Sequence, residues 1–371
     1  MEQRAMPPAG QNDSRYVRIE RPHEIPPAEE QAVDVAVLDM NHGWPNLGHD
    51  SLVRSLLEEN EDLLRLRHRT GVHLRVLSFD VRRHGMLPEL PGGRYTIYLG
   101  TGGPGHLDPH RNDGVTPGCQ GIREDPSWEA PLFQLFDAIQ ADPGAVLLAV
   151  CHSFGVMCRW SGIARPELRG AEKGGKSSGV LESMLTPEAE AHPWFSRFFG
   201  RAGGELAAAL APGGRLLVLD NRLFDLLPWP RPLPPGTIPI GYETLGAGGP
   251  RGDALTMAEL ARDRDGTMPR VFGVNHHPEI VDRPGLLELL EAKLRRGEVS
   301  GEWVAERREI LSRQLPDGSS DARLKWTTEC TLWGPLRYFA YRQLRRRAEA
   351  LGHQPDLHED RLLDRMTQTS A

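Results

Sequence analysis

Short apolar runs alternate along the chain with amphipathic segments. The runs are rich in Val, Leu and Ile, which is typical of strands that are buried on both faces. Between them, apolar residues recur every three or four positions, as in helices that pack one side against a sheet. The pattern predicts strands in the following segments: VDVAVLDM (33–40), VHLRVLSF (72–79), RYTIYLG (94–100), VLLAV (146–150), RLLVLD (215–220) and VFGVN (271–275).

Helices are predicted between these strands and again at the end of the chain. Asp50 is placed to cap one helix that runs through SLVRSLLEENEDLLRLRHR, and a second is predicted near 127–140. From Pro284 onward helical periodicity continues with no strand pattern between the segments. Strands that alternate with helices predict an α/β fold with a mainly parallel sheet flanked by helices, here followed by a helical C-terminal extension.

Composition divides the chain into three parts. Residues 1–31 are rich in Pro, Glu and Gln, and we expect them to form a flexible N-terminal tail. Residues 32–285 hold the predicted strands and form the expected main domain. Residues 286–371 form the expected helical extension, in which the aromatic side chains serve packing.

Charge and cysteine usage exclude several classes of function. The chain has 51 acidic and 44 basic residues, a net charge of −7, so it carries no overall attraction for nucleic acid or an anionic membrane. Its four cysteines are dispersed, which indicates neither a disulfide framework nor a zinc ribbon. No signal peptide or apolar span is evident, and we expect a cytoplasmic protein with no cofactor and no metal.

Chemistry-bearing residues follow three of the predicted strands. The segments are Gly102–Gly105, Cys151, and His276–Glu279. Ligands bind open parallel sheets at the carboxyl ends of the strands, so we expect these segments to meet. Cys151 alone is ambiguous, because free cysteines are often buried as small apolar side chains.

Together the three segments supply the parts of a thiol acyl-transfer site. His277 is placed to act as the base for Cys151, and Glu279 to orient the His277 ring. The backbone N–H groups of Gly103 and His152 are candidates for the oxyanion hole. A rival interpretation makes the His152 ring the base, as in the intracellular-protease group, but it leaves the HHPE sequence without a role.

These residues also carry a family resemblance. GVNHHPE (273–279) is similar to the GVQFHPE sequence of class I glutamine amidotransferases, YLGTGGPG (98–105) to their Ser-Gly-Gly-Pro loop, and AVCHSFG (149–155) to their GICxGxQ sequence. VLDMNHGWPNLGHDSLVRSL (37–56) and GGKSSGV (174–180) resemble further family segments, in the expected order. The resemblance implies a flavodoxin-like fold and a catalytic Cys151, His277 and Glu279.

Departures from the family pattern lie around the expected substrate pocket. Ser153 stands where the family has glycine, and Gly155 where it has a glutamine that helps to hold the substrate. Asn275 and His276 replace Gln and Phe before the catalytic histidine. We place Gly102, Ser153 and His276 in the substrate pocket. Because the sequence departs from the family pattern around this pocket, thiol acyl-transfer chemistry is better supported than glutamine as the substrate.

The resemblance implies cysteine-nucleophile hydrolysis of glutamine or a related γ-carboxamide or acyl substrate, a small-molecule amide. In the family, the released ammonia passes to a synthase. The extension has no recognisable nucleotide-binding loop, so the acceptor reaction would belong to a separate synthase subunit. The alternative is a catalytically idle amidotransferase-like domain that serves binding or assembly, which the changes at Ser153 and Gly155 favour.

Two other patterns carry weaker hypotheses. Gly170–Ser177 matches the phosphate-loop pattern GxxxxGK[ST], with Lys176 and a following Asp220, but the segment before it is polar and does not read as a strand. We therefore treat a nucleotide-binding protein as a third and weaker alternative. The loop GHLDPHRND (105–113) has metal-like spacing, but it offers no further ligand set and we expect it to be solvated.

Overall fold

The computed structural model describes residues 15–58, 60–170, 175–199, 214–244, 254–280, 282–312 and 320–354. Twelve strands occur within these ranges. They are β1 Tyr16–Ile19, β2 Ala32–Asp39, β3 His73–Asp80, β4 Ile97–Gly100, β5 Val146–Val150, β6 Ala164–Leu168, β7 Ser177–Leu185, β8 Arg215–Arg222, β9 Phe224–Pro228, β10 Ile238–Glu243, β11 Ala254–Arg262 and β12 Pro269–Val274.

Eleven α-helices accompany the strands in the same ranges, with a π-helical turn at Glu329–Trp333 between the last two. No helix of the described chain is both long enough and apolar enough to cross a bilayer. The helices are α1 Leu47–Leu57, α2 Glu61–Thr70, α3 Val81–His84, α4 Glu129–Ala141, α5 His152–Ser161, α6 Pro187–Glu190, α7 Ser196–Phe199, α8 Arg283–Arg295, α9 Gly301–Ser312, α10 Ser320–Thr328 and α11 Gly334–Ala350.

One large sheet organises the fold, in the order β1-β3-β2-β4-β5-β12-β11-β10-β7-β8. The strands from β1 to β12 in this order are all parallel, and β11, β10, β7 and β8 extend the sheet in antiparallel fashion. Its inner parallel order, β3-β2-β4-β5-β12, is the 2-1-3-4-5 order of flavodoxin-like folds. The predicted fold class is confirmed, and the carboxyl ends of β4, β5 and β12 lie side by side.

Helices cover both faces of this sheet, which explains the continuous apolar strands. Val35 and Val37 of β2 point into a core that includes residues of α1, α2 and α11. Ala36 and Leu38 point to the opposite face, where α4 and α5 pack. Successive side chains of a strand alternate between faces, so β2 is buried along its whole length.

The predicted N-terminal tail is partly structured. Residues 1–14 lie outside the described ranges, but Tyr16–Ile19 form β1, which pairs with β3 in parallel. Arg18 reaches across the strand ends and forms ion pairs with Asp39 at 2.7 Å and Asp80 at 2.9 Å. The expectation of a tail up to residue 31 is therefore wrong from Tyr16 onward.

The predicted first helix is two helices. The side chain of Asn46, rather than Asp50, caps α1 by accepting the His49 N–H at 3.0 Å. Asn60 caps α2 by accepting the N–H of Leu63. Asp50 instead forms an ion pair with Lys293 of α8 at 2.7 Å. Asn60, a second residue of N-capping type inside the periodic segment, was the sequence feature that marked the break between α1 and α2.

The C-terminal helices pack against the main sheet. The extension begins at Arg283, slightly before the predicted boundary, and Leu336 and Tyr338 of α11 belong to the same core as β2 and β3. Trp194 Nε1 donates to the carbonyl of Cys330 at 2.8 Å, and the rings of Phe198 and Trp326 lie 4.8 Å apart. The predicted extension is thus helical, and it completes one face of the sheet.

Candidate active site

Cys151 lies on a sharp turn between β5 and α5. Its backbone has φ 48° and ψ −100°, a region that L-residues with a side chain rarely occupy. The Cys151 N–H donates to the carbonyl of Val274 on β12 at 2.7 Å, and this bond stabilises the strained conformation. All four cysteines are within the described ranges, and Cys151 is the partly exposed one while the other three are buried. This turn presents the thiol at the carboxyl edge of the sheet.

His277 and Glu279 meet Cys151 at this edge. The parallel pairing of Val274 with Val150 brings the segment after β12 beside the end of β5. Cys151 and His277 line the same cleft, and Nδ1 of the His277 ring lies 2.8 Å from Glu279 Oε1. Both His277 and Glu279 are buried. The sequence-predicted thiol, imidazole and carboxylate therefore lie together at one edge of the sheet.

Electrostatics favour a charged His277 ring. Burial alone disfavours the imidazolium, but the charges of Glu279 and Cys151, with the hydrogen bond to Glu279, raise the pKa of His277 well above its usual range. A cationic ring beside a thiol favours the thiolate, which is the nucleophilic form. The arrangement is chemically suited to a thiolate–imidazolium pair.

Two glycines let the loop after β4 approach the pair. A Cβ on Gly102 would lie 2.9 Å from His277 Cε1 and 3.6 Å from Cys151 Cβ. A Cβ on Gly103 would collide with the carbonyl oxygen of Met40. Only residues without a side chain fit this close approach. The loop therefore brings the backbone of Gly103 into the same cleft as Cys151.

His152 is a buried, neutral residue of this cleft. Burial, with the positive charge of Arg82, lowers the pKa of His152 well below its usual value. His152 Nε2 has no partner within the described chain. The ring that a carboxylate orients is that of His277, so His277 remains the expected base and His152 the rival interpretation.

Ser153 and His276 lie outside the cleft, contrary to expectation. Ser153 Oγ donates to the carbonyl of Thr101 at 2.7 Å, and it fills the space beside Gly100, where a Cβ would lie only 2.5 Å from it. His276 Nε2 faces Thr331 Oγ1 at 3.4 Å. Burial, followed by the charges of His277 and Arg222, lowers the pKa of His276 to about 3. Gly102 contacts the Cys151–His277 pair and does not line the open cleft.

Gly155 of α5 is covered by a leucine. A Cβ on Gly155 would lie 2.5 Å from Leu107 Cδ1 and 2.7 Å from its Cδ2. Leu107 also lines the cleft that contains Cys151. An apolar side chain from the loop after β4 thus fills the space beside Gly155 and borders the cleft.

The cleft has a volume of about 130 Å³ and contains residues that the sequence did not single out. Asn221 and Arg222 enter it from the end of β8, and Asn275 from the end of β12. Within the described chain, Asn221 Oδ1, Arg222 Nε and Asn275 Nδ2 are buried without a hydrogen-bond partner. The sequence feature that could have identified Asn221 and Arg222 was their position as a polar pair directly after the apolar run RLLVLD.

The phosphate-loop pattern does not form a nucleotide site. Residues 171–174 lie outside the described ranges, but Ser177 opens strand β7, whereas the motif requires a helix there. Lys176 forms an ion pair with Glu306 at 2.8 Å. Asp220 accepts a hydrogen bond from Ser177 at 2.7 Å and pairs with Arg222. The hypothesis of a P-loop protein is therefore wrong.

The metal-like loop is occupied by internal contacts. His106 Nδ1 accepts the N–H of Asp108 at 2.9 Å, and the His106 ring packs edge-on against Phe224. Within the described ranges, only Glu20, Asp80 and His84 bring three ligand atoms within reach of one ion. Arg18 already donates to the carboxylates of Glu20 and Asp80, so its guanidinium supplies the positive charge that a metal ion would bring.

Solved structures similar to this chain include glutamine amidotransferases. One from Thermotoga maritima is 15% identical, with a TM-score of 0.42, covering 84% of this chain and 98% of its own. One from Methylobacillus flagellatus is 12% identical, with a TM-score of 0.41, covering 92% and 97%. The glutaminase domain of a Trypanosoma brucei CTPS, solved with bound acivicin, is 10% identical, with a TM-score of 0.32, covering 70% and 94%. No protein-family model and no curated protein sequence matches the chain.

Proposed function

We propose that this protein is a cysteine-nucleophile amide hydrolase of the glutamine amidotransferase type. The observation that carries the proposal is the strained Cys151 turn in the same cleft as His277, whose Nδ1 lies 2.8 Å from Glu279 Oε1. The HPE sequence (277–279) and the GGPG sequence (102–105) support the same function. The triad geometry serves acyl transfer whichever carboxamide is the substrate.

In the proposed reaction, the Cys151 thiolate attacks the carboxamide carbon and forms a carbon–sulfur bond. The oxyanion accepts hydrogen bonds from the N–H groups of Gly103 and His152. The His277 imidazolium gives its proton to the leaving amine as the carbon–nitrogen bond breaks. Neutral His277 then takes a proton from water as the water oxygen attacks the thioester, and breaking the carbon–sulfur bond releases the acid and restores the Cys151 thiolate and the His277 imidazolium. Glu279 stabilises the charged ring throughout.

The polar residues that line the cleft favour a substrate with a second polar end. A ligand group that pairs with a polar side chain of a desolvated site gains affinity. Asn221, Arg222 and Asn275 line the cleft, and their amide and guanidinium groups are of the types that bind the carboxylate and the amine of such a substrate. A volume of about 130 Å³ suits a compact molecule. Glutamine or a related γ-carboxamide has both features.

Ammonia is the second product, and we propose that a separate synthase subunit uses it. The extension from Arg283 provides helices that pack on the sheet, and its sequence contains no nucleotide-binding loop of its own.

Ammonia release from glutamine by the wild type and by Cys151→Ala tests the proposal. We expect release by the wild type and none by the variant. A glutamine-like electrophile should also label Cys151, which peptide mass spectrometry would locate. A wild type that neither releases ammonia nor becomes labelled would overturn the glutamine-directed hydrolase.

A catalytically idle binding domain is the second candidate. Leu107 covers Gly155, so the polar contact that the family uses to hold glutamine is absent from this position. This candidate predicts that glutamine binds without turnover or does not bind at all. Calorimetric titration of the wild type with glutamine, beside the ammonia assay, separates the two candidates.

A further inference from the structure

The C-terminal extension contacts the loop that carries His277 and Glu279. Thr328, the last residue of α10, donates its Oγ1 hydrogen to the carbonyl of Pro278 at 2.7 Å, and this bond is buried. Pro278 stands between His277 and Glu279 in the sequence. A residue of the extension therefore holds the peptide unit that links these two side chains.

Neighbouring residues of the extension bind the same region. Thr331 lies in the π-helical turn, and its Oγ1 is 3.4 Å from His276 Nε2. Thr327 Oγ1 donates to the carbonyl of Leu217 on β8 at 2.6 Å. β8 also holds the loop directly, since the His277 N–H donates to the carbonyl of Leu219 at 2.8 Å. π-helical turns within helices are frequent at functional sites.

The main domain supplies one further hydroxyl to the loop. Ser51 Oγ of α1 donates to the carbonyl of Glu279 at 2.5 Å. The carbonyls of Pro278 and Glu279 are thus each held by a buried hydroxyl, one from the extension and one from α1. Because an irregular loop has no regular ladder of backbone bonds, such side-chain bonds fix its conformation.

We propose that Thr328 and Thr331 are positioning residues, and that the helical extension sets the His277 ring against the Cys151 thiol. Neither residue lines the cleft, so each acts through the loop. The inference rests on the proposed function for its effect on turnover. Its effect on thiol reactivity does not depend on the identity of the substrate.

The test compares Thr328→Val with Thr328→Ser and with Thr70→Val. Valine keeps the shape of threonine and removes the hydroxyl, whereas serine keeps the hydroxyl. Thr70 is the matched control, because its buried Oγ1 donates to the carbonyl of Leu66 at 2.8 Å within α2. The readout is the rate of Cys151 alkylation by iodoacetamide from pH 5 to 9, followed by mass spectrometry and accompanied by thermal unfolding.

We expect alkylation of Thr328→Val at pH 6 to fall by about tenfold or more, since misplacing a catalytic group by about 1 Å costs on the order of a hundredfold. The rate at pH 9 should change little, because thiols in general are largely ionised there without a neighbouring cation. Serine should restore the profile, and Thr70→Val should keep it even if its melting temperature falls. If Thr328→Val does not fold, Thr331→Val and Thr331→Ser carry the same comparison.

An unchanged pH profile in Thr328→Val, or an equal change in Thr70→Val, would overturn the inference. Ammonia release distinguishes its failure from that of the proposed function. If the wild type releases ammonia through Cys151 but Thr328→Val keeps its profile and its kcat, the function stands and the inference fails. If no ammonia is released but the profile of Thr328→Val still changes, the inference stands and the function fails.

Discussion

Gly48 lies directly against the carboxylate of Glu279. A Cβ at Gly48 would collide with Glu279 Oε1 and would lie 3.3 Å from its Cδ. Gly48 is the second residue of α1, where glycine is otherwise a poor helix former. The carboxylate of Glu279, which orients His277, fills the space that a side chain at position 48 would need. This close contact, and not helix propensity, explains the glycine.

Gly48→Ala should therefore weaken catalysis although alanine favours the helix. Alanine is preferred over glycine in helices by about 1 kcal/mol, but here it would push Glu279 from its place beside His277. We expect kcat for ammonia release to fall by about 10–100-fold, as is typical when a residue that orients a reactive group is disturbed. Steady-state kinetics with glutamine provide the measurement.

Gly301→Ala is the matched control for this substitution. Gly301 is the first residue of α9, and a Cβ there would meet nothing within 4 Å. The control should keep full activity. Equal activity in Gly48→Ala and the wild type would mean that Glu279 does not need its observed position.

Gly103→Ala should displace the loop that offers the oxyanion donor. The added Cβ would collide with the backbone carbonyl of Met40, which cannot rotate away as a side chain can. Loss of one oxyanion donor costs about 10²–10³ in kcat. The control is Gly93→Ala, where the nearest atom to a Cβ is Glu89 Oε2 at 3.8 Å. A Gly103→Ala protein with wild-type kcat would remove Gly103 from the oxyanion hole.

The proximity of Cys151, His277 and Glu279 could be predicted from the sequence because the expected chemistry restricts both residue type and location. Few residue types serve as nucleophile, base and orienting acid, and parallel strands bring their carboxyl ends to one edge. Cys151, His277 and Glu279 meet there through the pairing of β5 with β12. The alternation of apolar runs likewise indicated the parallel half of the sheet.

In the antiparallel half, β8 was predicted from its apolar run, whereas β7, β10 and β11 escaped prediction because they carry mixed patterns. β10 contains Pro239 and Gly241, which read as a loop, and its pairing with β11 is correspondingly irregular. Ser153 and His276 were assigned to the pocket from their neighbours in sequence. Their directions are set instead by distant partners, Thr101 and Thr331, which no local pattern reveals.

Gly155 and Leu107 should be energetically coupled. Gly155→Ala places a Cβ 2.5 Å from Leu107 Cδ1, and overpacking of this kind costs about 1–3 kcal/mol of unfolding free energy. Leu107→Ala removes the obstruction but leaves a cavity. In the double variant, the cost of Gly155→Ala should disappear, giving a coupling energy of about 1–3 kcal/mol in urea unfolding. Additive effects would show that the two side chains do not compete for the same space.

His276 should make the protein less stable in mild acid. Burial, with the charges of His277 and Arg222, lowers the pKa of His276 to about 3, so the native ring stays neutral below pH 6.5. An unfolded histidine takes up a proton near pH 6.5, so the unfolded state binds more protons between pH 6.5 and 3. Stability attributable to His276 therefore falls as the pH drops through this window, by up to about 1.4 kcal/mol per pH unit.

His277 has the opposite linkage, and this separates the two rings. Its pKa is raised in the native state, so its stabilising contribution is present below pH 6.5 and is lost at higher pH. His276→Phe should reduce the loss of unfolding free energy between pH 7 and pH 5 by about 2 kcal/mol relative to the wild type. Urea unfolding at the two pH values measures this difference. The exposed His110, changed to Phe, is the control that should leave it unaltered, and an equal loss in His276→Phe and the wild type would mean that the His276 ring is protonated in the native protein.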